Sequence, residues 1–426
     1  MLSSSRAVRS GVLSAALLLA LPALARGQAP APTVVEIGGE GRNCNEDPEC
    51  FNRLHPAIPM PVRAAPGATL VFHARNAGDM ALDPEAGPDP RGPDARGGTV
   101  HPVTGPVHIE GARRGDVLKV RLLDIAPGPF TGTAETSISS ICFVSDVVEG
   151  PLRVLWRLNR DFAESDDLPG VRIPNASFPG ILTTLPGPDE HAAMMAREAA
   201  LMAAGGVGWE AQPYLATPAE VCGEGGTHAD ACLRTIPPRE HGGNMDIRYL
   251  KPGATVYLPC YVDGCGLGVG DLHYAQGDGE VSGTALEMDA TVTLTTEIVR
   301  DGPDLSRGPH YEGPATLLDI PSRRFWATTG FPLKEAGEVP PDMAYLESAT
   351  VAELENLSKD VSLAARNALL AMIDHIAGTY GYTRQQAYIL ASVAVDLRIG
   401  QLVDAPNVGV TAILPVDIFV DPPRSP

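Results

Sequence analysis

The sequence is short of basic side chains, of aromatics and of long apolar runs. Lysine and arginine together number 32 against 52 acidic residues, a net charge of −20 at pH 7. So acidic a surface repels phosphate backbones, which excludes nucleic acid as a partner and favours small neutral or cationic ligands and divalent ions. Aromatics make up 5% of the chain, beside 45 glycines and 40 prolines, so many turns are expected. With 44% hydrophobic residues the chain is not a disordered one. Past the N-terminus no stretch is apolar over the roughly 20 residues that a bilayer span needs, so no membrane partner is expected of the mature protein.

What is present begins with a leader. Arg6 and Arg9 form a basic start, Gly11 to Leu24 is apolar apart from Ser14, and Ala23-Leu24-Ala25 suits signal peptidase. Residues 1–29 are therefore assigned to an export signal, and the mature protein is expected in the periplasm or outside the cell. No cysteine follows the cleavage site to carry a lipid, and the two arginines are not adjacent, which favours the general export route. The remainder is long enough for two or three domains.

An exported chain can hold disulfides. Cys44 and Cys50 in "CNEDPEC", and Cys222 and Cys232 in "CGEGGTHADAC", each bracket a short polar loop that a local bridge could close. Cys142, Cys260 and Cys265 lie in apolar or glycine-rich surroundings and read as buried, inert thiols. An apolar setting raises a thiol's pKa, which argues against Cys142 as a nucleophile.

Three segments, "RAAPGATLVFHAR" at 63–75, "EGARRGDVLKVRLL" at 110–123 and "YLKPGATVYLPCYV" at 249–262, place a glycine turn before alternating apolar residues. Period two puts Leu118, Val120 and Leu122 on one face of a strand, with Lys119, Arg121 and Leu123 on the other. With "VTLTTEIV" at 292–299, these units suggest antiparallel sandwich or barrel layers, and their spacing hints at a two-part β architecture. The proline-punctuated 173–190 reads as a loop leading into a helix at 191–204. Helical spacing returns at 361–376 with a stop at Tyr380-Gly381, and Thr383 with Gln386 forms a capping box for a helix through about Leu397. The closing "VGVTAILP" is a strand. The expectation is an α+β fold, mainly β, with helices at the middle and the C-terminal end. Its regions are 30–150 (β-rich), 151–240 (loop and helix), 241–330 (β-rich catalytic core) and 331–426 (two helices and a strand).

The chemistry concentrates between 237 and 287. On a strand Asp271 and His273 project from one face, and Asp278 and Glu280 repeat the spacing across a glycine. Carboxylate and imidazole donors suit Zn²⁺, and an all-oxygen subset would suit Ca²⁺. Water is a poor nucleophile at neutral pH, and a metal that lowers its pKa and polarises a carbonyl would serve a hydrolysis. These types assign Asp246, Asp271 and His273 as ligands of a divalent metal, Zn²⁺ ahead of Ca²⁺. Glu280 becomes general base or fourth ligand, with Asp278 and His241 as further catalytic candidates. Asn244 and His101 are placed near substrate, and Gly277 and Gly279 would let backbone N–H groups reach an oxyanion. Asp396 and Arg398 read as a fixing ion pair.

The motifs "HPVTGPVHIEGARRGDVLKVRLLDI" at 101–125, "HGGNMD" at 241–246, "VGDLHYAQGDGEVSGTALE" at 269–287 and "YGYTRQQAYILASVAVDLRIGQLVDAPNVGV" at 380–410 resemble the acetamidase/formamidase family of amide hydrolases, in order and over about 60–419. The resemblance implies an enzyme acting on small aliphatic amides such as formamide or acetamide, giving carboxylate and ammonia. A homo-oligomer is possible. The alternative is an exported, non-catalytic β-rich protein that keeps the scaffold and a metal or ligand site. The cysteines of "CYVDGCGLGVG" at 260–270 and the loop 222–232 depart from the pattern and could remodel the pocket.

Overall fold

The structure, a computed structural model, describes Met1 and residues 33–79, 95–128, 133–138, 143–144, 147–148, 150–205, 208–306, 308–339, 352–402 and 408–423. The leader beyond Met1 and Cys142 lie outside the described residues, and Thr33–Pro426 packs as one unit. Among the described residues no helix is long and apolar enough to cross a membrane.

The glycine turns do feed strands. Gly67 and Gly253 take φ of 82° and 101°, a left-handed turn that a side chain would strain, and the chain leaves them as Thr69–Ala74 and Thr255–Pro259. With Val117–Pro127 and Ala290–Val299 these form the centre of one six-stranded sheet, edged by Val34–Ile37 and His310–Glu312. Val117–Pro127 pairs antiparallel with both Thr255–Pro259 and Ala290–Val299, so units far apart in sequence share a sheet rather than dividing into two parts. Leu118, Val120 and Leu122 are buried while Arg121 and Leu123 are exposed, the alternation expected of a half-buried strand.

A second, eleven-stranded sheet carries Thr133–Ser137, Glu287–Met288, Cys265–His273, Phe178–Thr183 and Gly242–Asn244 side by side. Side chains from the two sheets, among them Phe72, Leu118, Leu122, Leu267, Val269 and Trp156, belong to one buried core, as in a sandwich. The fold is thus mainly β, with few helices. The strand Phe178–Thr183 corrects the reading of 173–190 as loop. Every residue in it is buried, between Cys265–His273 on one side and Gly242–Asn244 on the other. A strand covered on both faces has no polar alternation to betray it, and its proline and glycine mimic loop composition.

The helices follow their caps. Pro188–Ala203 starts with proline at its first turn, Val361–Tyr380 is capped by Asp360 and stopped by Gly381 at φ 78°, and Arg384–Ala394 carries the Thr383–Gln386 capping box. The last helix ends at Ala394 rather than near Leu397, because Asp396–Gln401 pairs with Gly409–Pro415 in a three-stranded sheet completed by Phe325–Gly330. Disulfides close Cys44–Cys50 and Cys222–Cys232, and a third joins Cys260 to Cys265, correcting their reading as free thiols. The turn through Gly264 (φ 81°) brings these two Cα atoms within 4.5 Å, a proximity that glycine-rich context alone did not signal.

Two glycines separate packing from propensity. A Cβ on Gly330 would stand 2.1 Å from the Ala364 carbonyl oxygen and 2.2 Å from the Ala368 nitrogen, whereas one on the exposed helical Gly378 would meet nothing within 4 Å. Gly330→Ala is expected to lower the thermal midpoint by several degrees, and Gly378→Ala to raise stability by about 0.5–1 kcal/mol, both read by thermal and urea unfolding.

Candidate active site

Three strands and one loop deliver acids to a single imidazole. Asp271 and His273 end the strand Cys265–His273, Asp246 follows Gly242–Asn244, Glu280 stands in the loop after His273, and Glu287 opens the return strand directly opposite His273. Ligand atoms of Asp246, Asp271 and His273 lie within 4.8 Å of one another, as do those of His273, Glu280 and Glu287. His273 Nε2 is 3.4 Å from Asp271 Oδ1, 3.4 Å from Glu287 Oε2 and 4.0 Å from Glu280 Oε1. The imidazole is fully buried, and Phe178 meets it edge-on with ring centroids 5.0 Å apart.

Local backbone conformation makes the convergence possible. Asp246, Asp271 and Glu280 all adopt left-handed φ, at 49°, 53° and 43°, which costs a non-glycine residue about 1 kcal/mol or more. Asp271 therefore leaves the regular pleat on which the same-face expectation rested, yet its carboxylate still meets His273. Gly180, in the neighbouring strand, presses against both acids. A Cβ there would come 2.6 Å from Asp246 Oδ1 and 2.8 Å from Asp271 Oδ2, and its carbonyl oxygen accepts from Met245 N and Asp246 N.

The electrostatics are those of buried acids in want of a cation. Burial, reinforced by Asp271, raises the Asp246 carboxyl to about 7. Burial and the Asp246 charge likewise push Glu280 well above the ordinary carboxylate range. Burial also opposes ionisation of Asp271, but the fields of His101 and His273 prevail and hold it at about 2. For His273 burial favours the neutral ring, and Glu287 and Asp271 overrule it, holding the imidazole well above its usual value. Even so, Asp246 Oδ1, Asp271 Oδ1, Glu287 Oε2 and both nitrogens of His273 are buried without a hydrogen-bond partner. Such atoms are rarely left bare in a native interior.

The other candidates are distributed unevenly around this centre. Asn244 donates from Nδ2 to Asp246 Oδ2 at 3.0 Å, so it orients an acid of the cluster. His101 lies close enough to favour ionised Asp271, and its Nδ1 has no partner. His241 is buried at the other end of Gly242–Asn244, its Nδ1 2.8 Å from Thr183 Oγ1, and burial lowers it to about 3. Asp278 turns away from the cluster. Its carboxylate accepts from Tyr249 Oη at 2.6 Å, which corrects its pairing with Glu280: the turn through Gly279 at φ 108° breaks the two-residue period. Gly277 is also corrected as an oxyanion donor, because its N–H is given to the Ser392 carbonyl and the residue packs against Val395. Asp396 and Arg398 do pair, at 3.1 Å, on a strand rather than a helix end, and Arg248 joins the same carboxylate. Glu287, Gly180 and Gln276, whose Nε2 donates to the Asp246 carbonyl at 2.9 Å, were missed. For Glu287 the available signal was the hairpin: fourteen residues of turn-rich chain after His273 return an acid to the facing position.

Known proteins resemble the chain over most of its length. Residues 39–421 match the Acetamidase/Formamidase family. An acetamidase of Mycolicibacterium smegmatis is 30% identical over 368 residues, covering 80% of this chain and 84% of that protein. A formamidase of Methylophilus methylotrophus is 29% identical over 406 residues, covering 91% and 93%. In three dimensions the chain is similar to a gamma lactamase from Delftia acidovorans, with a TM-score of 0.78 at 29% identity and 90% and 92% of the two chains covered. A family match through nearly the whole described chain, together with relatives of the same length, places this protein in the acetamidase/formamidase family, and it is an amidase.

Proposed function

We propose that the protein hydrolyses small aliphatic amides of the formamide and acetamide kind to carboxylate and ammonia, at a divalent cation held by Asp246, Asp271 and His273. One observation carries the cation: acids and an imidazole converge in a buried space with their facing oxygens and nitrogens unpartnered. Mixed nitrogen and carboxylate donors favour Zn²⁺ over Ca²⁺. Glu280 and Glu287, within reach of the same imidazole, are the remaining donors or the proton carriers. When bound, such an ion supplies Lewis acidity, lowering the pKa of water and polarising an amide carbonyl.

The chain's own groups supply the rest. Asn244 fixes Asp246 through its Nδ2 hydrogen bond, and Gln276 holds the same residue by its main chain. Phe178 and the two facing acids set the plane of His273. Glu280, whose carboxyl is held above the ordinary range by burial, can keep a proton near neutrality and give it to the departing nitrogen. His101 Nδ1, buried and unpartnered beside Asp271, is the group available to the substrate's polar edge. Overlap in one site of a raised acid and a lowered one divides the labour between proton donor and permanent anion.

The purified chain is expected to release ammonia from formamide, acetamide or propionamide, with a γ-lactam included for comparison, to lose turnover on thorough chelation and to regain it with Zn²⁺. Undiminished release from a metal-free preparation would remove the cation from the proposal while leaving the amidase. Asp271→Asn and Gly180→Ala should each lose bound metal and at least tenfold in kcat, the first by charge and the second by displacing two acids; a Gly180→Ala protein with full metal content and activity would contradict the packing argument.

The raised carboxyls also set a pH dependence for the chelated protein. Asp246 titrates at about 7 when folded and near 4 when unfolded, so folding takes up a proton between those values. Glu280 and His273, both raised, act in the same direction, and their contribution is present at low pH and lost as pH rises. Buried His241, lowered to about 3, acts in the opposite sense below its ordinary value, so the test is differential: the chelated protein should lose more of its melting temperature between pH 5 and pH 8 than chelated Asp246→Asn does, and restored metal should narrow that loss, since ligands bind metal when deprotonated. Scanning calorimetry of the two proteins checks this, and an equal pH dependence in chelated Asp246→Asn would refute it.

A further inference from the structure

Away from the acid cluster, the fold buries two guanidinium groups, Arg53 and Arg234, that meet no carboxylate among the described residues. Arg53 is fully buried and Arg234 is 3% exposed. Arg53 acts as a brace with every nitrogen engaged: Nε donates to the Gln212 carbonyl, Nη1 to Asn52, and Nη2 to the carbonyls of Gly98, Gln212 and Tyr214. Arg234 is differently placed. Its Nη1 donates to Gln212 Oε1 and its Nη2 to the Gly97 and Val100 carbonyls, while Nε is buried with no acceptor. Every one of these acceptors is neutral. Burial lowers Arg234 to about 10, and burial with the nearby Arg234 charge lowers Arg53 to about 9. In a chain of net charge −20, two buried cations with no anion beside them among the described residues leave a desolvation cost only partly offset.

Arg234 borders a cavity of about 610 Å³ whose walls include Gly97, Gly98, Trp209, Gln212 and Tyr214. The guanidinium carbon stands 5.9 Å from the centroid of the Trp209 ring. Glu210 is also on the wall, but it is exposed and forms no ion pair with Arg234 among the described residues. We propose that this cavity binds a small organic carboxylate, with the anionic end held at Arg234 and the apolar body laid against Trp209. The N–H groups that Arg234 has left, on Nε and Nη1, can give a carboxylate charge-assisted hydrogen bonds, and an indole wall selects an organic anion over an inorganic one. Most donors of Arg234 are already spent on carbonyls, which suits a monoanion better than phosphate. The proposal stands apart from the amide chemistry, since none of the wall residues belongs to the acid cluster.

Calorimetric titration of the full chain with benzoate, acetate, benzyl alcohol and inorganic phosphate tests it, alongside tryptophan fluorescence. Benzoate should bind saturably at one site and more tightly than acetate, with benzyl alcohol and phosphate weaker still. Arg234→Gln should weaken benzoate by about tenfold or more, the scale of a lost charge-assisted contact. Should that variant fail to fold, Trp209→Ala carries the test, and is expected to abolish both the preference for benzoate over acetate and the fluorescence change. No saturable benzoate binding, equal binding of benzyl alcohol, tighter binding of phosphate, or affinity unchanged by Trp209→Ala and by a folded Arg234→Gln would each overturn the proposal; benzoate lodged at the acid cluster would survive both substitutions.

Discussion

The structure turns on the cost of burying several carboxylates around one imidazole. Asp246, Asp271, Glu280 and Glu287 face His273 in an interior where isolated charges are strongly disfavoured. Two of the acids respond by holding protons and one by staying ionised beside histidines. Such a set is stable only if something fixes each acid in place, and much of the surrounding fold can be understood as that fixing. The left-handed backbone at three of the acids is the local expression of the same constraint.

The scaffold meets it with close approach rather than bulk. The strand that ends at His273 is buried on both faces and rich in glycine, so its neighbours press directly on its main chain. A Cβ at Gly270 would stand 2.5 Å from the Pro102 carbonyl oxygen, and one at Gly268 would stand 2.8 Å from Val103. Gly180 does the same from the adjoining strand, against the acids themselves. The Cys260–Cys265 disulfide closes the turn at the head of this strand, the element that carries Asp271 and His273.

The loop that carries Glu280 is held from the C-terminal side. Gly277 N donates to the Ser392 carbonyl, Ser282 N to Ser392 Oγ, and Leu397 N to the Asp278 carbonyl. Behind it Asp396 joins Arg248 and Arg398, and Tyr249 fastens Asp278. Elements separated by more than a hundred residues thus set the position of one carboxyl. Asp278, expected in the reaction, belongs to this support instead. Some acids thus surround the imidazole and others sit in the frame behind it.

How much of this could be read from the chain depends on whether the signal was local. Glycine turns ahead of alternating apolar residues announced three strands of one sheet, and alternation alone a fourth, because period two is a property of a few adjacent residues. The capping box at Thr383 and the stop at Gly381 were equally local. The density of acids and histidine in 269–287 marked the site, and the ordered motifs marked the family. Pairing across the sheet was not local. Only tertiary contact set Glu287 opposite His273, brought Gly180 against two acids, linked Cys260 to Cys265, revealed Phe178–Thr183 as a strand and turned Asp278 outward. The sequence by itself determined which residue types were available and which short segments would extend or coil. Tertiary structure decided which of those side chains share a buried space, since that depends on register and on main-chain angles that neighbouring residues do not specify.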